Sequence, residues 1–349
     1  MASTSAAQPA PPAPPPPPSP ATLVSAAAQL AAAPKTVITN GKLTATVLLP
    51  DAEKGFYRGT RFDWAGIVAS LKYAGREYYG LWFDTIGPDV RDYVFYDGKI
   101  AAGPNTASLG PTDAYDANQP VGWDEAAPGG AFLKIGVGLL RKPTDGAAYN
   151  SFRTYEFVDR GRWKVERKPD RVIFTHTVAD PSGAYGYVYR KEVRLVPGQP
   201  AMQLRHSLTN TGSRKIATRS FNHNFLTLGG WPSRPGLEAG TTFPIEAGRP
   251  LRDVAKLEGA KLVYQRRLAP LEVFSTNVVT SPGPNSVYDV HIRDANGFGY
   301  RVQGDQPMSS LALWSIRTVV CFEPFVSLEI APGKTVTWTF DYTYSAPTI

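Results

Sequence analysis

The sequence predicts an all-β protein, a large antiparallel β-sandwich, and three observations carry that prediction. Extended segments recur at short spacing, turn-forming clusters separate them, and helical periodicity is scarce. Glycine and proline, at 32 each among 349 residues, supply the punctuation that many short strands need.

Taken in chain order, residues 1–34 are Ala- and Pro-rich, with an unbroken proline run from Pro14 to Pro18. Such a segment has little apolar surface to offset the entropy of ordering it, so it reads as a disordered leader, helical at most over Leu23–Ala33. Residues 35–349 then read as one folded domain. Val37–Thr39 and Lys42–Leu48 flank Asn40-Gly41, a strong short-range hairpin signal. Trp64–Tyr73 is the next extended segment. From Gly87 to Gly130 the chain is rich in Gly, Asp and Pro with aromatics interspersed; a loop region that long inside a domain is usually functional and could wall a pocket. The extended segments Arg171–Val178, Tyr185–Leu195 and Met202–Leu208 follow, divided by Pro181-Ser182-Gly183 and Pro197-Gly198 and closed by Asn210-Thr211-Gly212. Leu262–Tyr264, Val287–Arg293, Leu311–Ile316, Val319–Leu328 and Thr335–Tyr344 complete the strands, and one short helical piece falls near Leu251–Leu257.

Composition excludes several classes. The formal charge of +7 comes from 37 basic and 30 acidic side chains in scattered short clusters, such as Arg160 with Arg162 and Arg266 with Arg267. No concentrated stripe or nucleic-acid module accompanies them, so the prediction is no nucleic-acid partner. No stretch approaches the apolar length of a membrane span. The leader lacks the charged and apolar regions of a secretory signal, yet an Ala/Pro-rich tether ahead of a β domain favours a periplasmic or secreted protein over a cytoplasmic one. Cys321 is the single cysteine, which rules out an internal disulfide framework.

Two segments concentrate chemistry. The first is Ser220-Phe221-Asn222-His223-Asn224-Phe225-Leu226-Thr227-Leu228-Gly229-Gly230; on a strand, Phe221, His223 and Phe225 share a face. The second is Val320-Cys321-Phe322-Glu323-Pro324-Phe325, in which Cys321, Glu323 and Phe325 share a face. Taken alone, a histidine between phenylalanines is more often a hydrogen-bonded core residue. A glutamate on an apolar strand face is costly to bury without a partner and should have a raised pKa. His176 and His206 alternate with apolar residues and read as core. No His/Cys/Asp/Glu grouping has zinc-like spacing.

In this order and rough spacing, with Gly304-Asp305-Gln306-Pro307 and Leu311–Ser315 between them, these segments resemble the aldose 1-epimerase (galactose mutarotase-like) superfamily. The resemblance spans roughly residues 36–345 and implies a supersandwich fold that acts on a carbohydrate. It implies acid/base catalysis at the anomeric centre of a hexose or sugar derivative, with Glu323 as base, His223 as acid and Asn222 and Asp305 beside the substrate. An imidazole and a carboxylate on opposite sides of a sugar ring can open and reclose it without metal or cofactor. The resemblance also implies a second histidine before a Gly-Gly pair in the first half. Here that region reads Ala127-Pro128-Gly129-Gly130-Ala131-Phe132-Leu133-Lys134, so Lys134 is the available cation.

Gly55–Gly66 sets polar groups beside aromatics, as sugar sites do, which nominates Arg58, Arg61, Asp63 and Trp64 as ligand-binding residues. Two alternatives stay open: a glycan lyase or hydrolase, with Asp63 or Asp305 as a second carboxylate, and a non-catalytic glycan-binding module.

Overall fold

The computed structural model describes residues 23–87, 94–115, 119–280 and 286–347. Two large antiparallel sheets dominate. The ten-stranded sheet runs, in spatial order, through Arg162–Lys168, Arg171–Ala179, Gly186–Leu195, Ala201–Asn210, Thr335–Ser345, Gly299–Gly304, Asp289–Arg293, Glu238–Thr241, Lys261–Tyr264 and Ala255–Glu258. The six-stranded sheet runs through Ile245–Ala247, Phe274–Thr280, Ser310–Ile316, Val319–Ile330, Ile216–Asn224 and Pro111–Tyr115. Three smaller antiparallel sheets, of four, three and four strands, accompany them. The all-β sandwich expectation is met.

Period-two alternation builds the core. Met202, Leu204, His206 and Leu208 point inward from one strand, and Trp338, Phe340 and Tyr342 from its neighbour. Side chains of both large sheets merge into one apolar cluster, to which the six-stranded sheet contributes Leu313, Val320 and Phe322. The opposite face of that sheet is also covered: Val319, Cys321, Phe221 and Phe225 pack with Phe62 and Trp82 into a second cluster. The start of the Val319–Ile330 strand is therefore buried on both faces, whereas its second half alternates.

A charged network is buried between the sheets. Lys191 lies 2.6 Å from Asp113 and 3.5 Å from Asp63, and its ammonium also donates to the Ala65 carbonyl. His206 Nε2 sits 2.9 Å from Asp113 Oδ2, and Asn222 donates to Oδ1. Burial disfavours the charge on Asp113, but Lys191 and His206 outweigh it and hold that carboxyl well below the usual carboxylate range. Burial pushes Asp63 up to about 7, with the neighbouring Asp113 charge adding and Lys191 opposing. One cation thus serves one ionised carboxylate, and the second acid tends to keep its proton.

Several expectations shift. Of the leader, residues 1–22 lie outside the described residues, but 23–34 is ordered. Val24–Ser25 pairs with Thr85–Ile86, and the helix Ala26–Ala32 starts at Ser25, whose side chain accepts from the Ala28 amide. Ala26 and Ala33 are buried in the second cluster, and that packing overrides the segment's low complexity. The piece near Leu251–Leu257 is no helix; Arg252 has φ 54° and Ala255–Glu258 pairs with Lys261–Tyr264. The extended run Trp64–Tyr73 begins as a strand only at Val68, because Gly66 turns the chain at φ 64° against the Val193 side chain. The Asn40-Gly41 hairpin forms between Lys35–Thr39 and Thr44–Leu48.

Candidate active site

Strand register brings His223 and Glu323 together. Ile216–Phe221 pairs with Phe325–Ile330 in one continuous register, and the bridge between Leu226 and Val320 keeps it. Within that register His223 stands across from Glu323, and Phe225 across from Cys321. The ladder opens between the paired stretch and the bridge because Pro324 has no amide hydrogen to donate. The Asn224 side chain fills the gap by donating to the Phe322 carbonyl at 3.0 Å, and it accepts from Tyr342 at 2.7 Å. Asn222 and Asn224 therefore anchor the strand from behind while His223 faces outward.

His223 Nε2 lies 3.0 Å from Glu323 Oε1, and the two residues are only 4% and 8% exposed. The approach is close but poorly aligned: His223 Nδ1 and Glu323 Oε1 are buried without a well-formed hydrogen bond. The imidazole stacks on Phe225 at 4.1 Å, and Phe225 stacks on Trp82 at 5.3 Å, which fixes the ring plane. Phe62 meets the imidazole edge-on at 5.3 Å.

Arg61 completes the polar group. Phe62 bridges to Ala114 on the Pro111–Tyr115 edge strand, and the Arg61 and Phe62 amides both donate to Tyr57 OH. The preceding residue, Thr60, is pinned by Asn105. The Arg61 guanidinium lies 4.6 Å from the Phe62 ring centroid and 4.5 Å from that of Phe152, and it donates to Thr106 Oγ1 at 3.3 Å.

Arg61, Thr106, His223 and Glu323 line a cavity of about 260 Å³. Phe152, Phe225, Val273 and Trp314 form its apolar walls, with Ala101, Ala102 and Gly103 also lining it. The Gly87–Gly130 segment thus does contribute a wall, but it is not one loop: Val94–Tyr96, Lys99–Ala102 and Pro111–Tyr115 within it are strands. A wider groove of about 520 Å³, lined by Tyr185, Lys215 and Arg219 among others, lies elsewhere. Lys215 is paired with Glu329 there and Tyr185 with Glu125, so it offers no comparable unpaired dyad.

Burial sets the proton chemistry of the dyad. It pushes the Glu323 carboxyl up to about 8, with Arg61 opposing, and drives the His223 imidazole well below its ordinary value, with Arg61 assisting. Both groups favour their neutral forms. The Cys321 thiol is raised by burial and by Glu323, which makes it a poor nucleophile. His223, Cys321 and Glu323 offer ligand atoms within 4.8 Å of one another, but the Arg61 guanidinium faces the same space and opposes a cation there.

The remaining nominated residues sit elsewhere. Asp63 and Asn222 belong to the buried network around Lys191 and Asp113. Trp64 donates to the Gly59 carbonyl inside the second cluster. Arg58 donates to the Glu53 carbonyl at 2.6 Å. Lys134 is buried and donates to the Tyr115 carbonyl and to Tyr149 OH. Asp305 is exposed and accepts from the Thr339 amide. Thr106, Phe152 and Val273 escaped the sequence reading, since each lies in a loop or turn with no periodic signal. The dyad also differs from the expected placement on opposite sides of a ring: in-register neighbours on adjacent strands must flank the same side.

No family model and no curated protein matches the chain. Solved structures do. A galactose mutarotase-like protein from Lactobacillus casei superposes with a TM-score of 0.54 at 12% identity, covering 89% of this chain and 99% of its own. A galactose mutarotase related enzyme from Lactobacillus acidophilus gives 0.52 at 13% identity, covering 90% and 98%. At such identities the likeness establishes the fold, and the fold is galactose mutarotase-like.

Proposed function

We propose that this galactose mutarotase-like chain is a sugar 1-epimerase, in which His223 and Glu323 exchange protons with the two oxygens bonded to the anomeric carbon. The observation that carries this reading is the buried, mutually touching imidazole–carboxyl pair on the floor of a sugar-sized cavity. A ring cannot lie between groups this close, but the hydroxyl oxygen and ring oxygen of a hemiacetal can meet both from one side.

The protonation states assign the roles. A neutral imidazole accepts the proton of the anomeric hydroxyl while the Glu323 carboxyl donates its proton to the ring oxygen. The bond from C1 to the ring oxygen breaks, an aldehyde forms, and the dyad becomes imidazolium and carboxylate. Rotation about C1–C2 turns the other carbonyl face to the hydroxyl, and closure returns both protons. Arg61, fixed beside Glu323, stabilises the transient carboxylate. This inverts the base and acid roles that the family resemblance implies.

The test is polarimetry of freshly dissolved α-glucose and α-galactose, expected to relax faster with protein than in buffer; equal rates would remove the epimerase reading. The pH profile discriminates the roles. Activity should decline as pH rises through about 8, where Glu323 loses the proton it must donate; a rise through the same range would restore Glu323 as base. In Arg61→Leu the carboxyl loses the charge that lowers its pKa, so the declining limb should move to higher pH. A hydrolase working with paired carboxylates is disfavoured, because Glu323 is the one carboxylate among the described lining residues.

A further inference from the structure

We infer that the sugar accepted here carries an apolar substituent on the side of the ring away from its anomeric carbon. The inference rests on the epimerase reading for the ligand's orientation, and on the cavity's own gradient for its chemistry. Polar side chains gather at the floor: His223, Glu323 and Thr106 are all buried, and Arg61 stands beside them. Thr106 Oγ1 is already committed, donating to the Pro104 carbonyl and accepting from Arg61. Among the described lining residues, the Arg61 guanidinium, whose Nε is buried without a partner, is the main side-chain polarity left for hydroxyls beyond the anomeric edge, and it lies beside Glu323 rather than at the far end. An unsubstituted hexose displays hydroxyls around its whole rim, and each one shut away from water without a partner weakens binding.

The mouth has the opposite character. Phe152 is 41% exposed and Val273 48% exposed, and both line the cavity. Phe152 is exposed yet held in place. Its amide donates to Asn150 Oδ1, and one ring face carries the Arg61 guanidinium. With the anomeric carbon at His223 and Glu323, the far side of the ring points toward this rim. An acyl, alkyl or aryl group there would cover Phe152 and Val273, where a hydroxyl would meet only apolar side chains.

Calorimetric titration of the full chain with glucose and with glucose benzylated at O4 or at O6 tests this. At least one benzylated sugar should bind about tenfold or more tightly than glucose, and Val273→Ser should shrink that ratio toward unity. Phe152→Ser should do the same, although it also frees Arg61, which is why Val273 supplies the independent variant. Equal or weaker binding of both benzylated sugars, or no binding of any, would overturn the inference. Tight benzyl-sugar binding without faster mutarotation would sink the epimerase reading and leave the substrate class standing.

Discussion

Glu323→Gln should lower the catalysed mutarotation rate by about 10²–10⁴-fold, because the amide can neither donate nor recover a proton at the ring oxygen. The substitution keeps the shape of the side chain, so the variant should fold, and its stability should respond to pH in a diagnostic way. The native carboxyl holds its proton up to about pH 8, against an ordinary value of 4.5. Between those values the native state binds a proton that the unfolded chain has released, so wild-type stability falls as pH rises, by a few kcal/mol in all. The variant has no such group and should lose that slope. Denaturant titrations at pH 5 and pH 9 would show the two proteins diverging, with the variant the more stable at pH 9. A variant that keeps full activity would remove Glu323 from the mechanism, whatever its stability.

Lys191→Met should destabilise the fold by about 3–5 kcal/mol, the range expected when one member of a buried ion pair is removed and the other is left behind. Lys191 and Asp113 are both fully buried at 2.6 Å, and Asp63 shares the same ammonium. The lowered pKa of Asp113 means that its pairing contributes stability above the unfolded carboxyl value of 3.8 and loses it as pH falls through the native value. The variant should therefore have a flatter acid limb as well as a lower urea midpoint at neutral pH. Adding Asp113→Asn to Lys191→Met should recover part of the loss, since it removes the stranded charge. A single variant as stable as wild type would show that water or proton uptake relieves the network without the lysine.

This network also bears on the placement of the dyad. Asp113 pairs through its strand with the His223 strand, Thr112 opposite His223, and its carboxylate holds Asn222 from behind. Asn222 flanks the imidazole in sequence but points to the other face, so its part is to position the strand, as Asn224 does at the break before Pro324.

The sandwich itself was legible along the chain because period-two alternation and turn chemistry are local. Met202–Leu208, Val319–Leu328 and Thr335–Tyr344 each announce a strand and its inward face. His223 and Glu323 were legible for a related reason: each lies on the same strand face as its aromatic neighbours, within segments of recognisable type. The rest depends on partners distant in sequence. Residues 23–34 look too simple to fold, and only docking of Ala26 and Ala33 against the second cluster orders them. Asp63 and Arg61 stand two residues apart, yet one is drawn into a buried ion network and the other into the cavity, and no local pattern separates them. Contact between imidazole and carboxyl on one side, not across a ring, follows from cross-strand register, which is a relation between two strands about a hundred residues apart. Local sequence determined which residues alternate and which carry chemistry; tertiary packing decided which charges meet, because burial and proximity, not residue type, set their protonation.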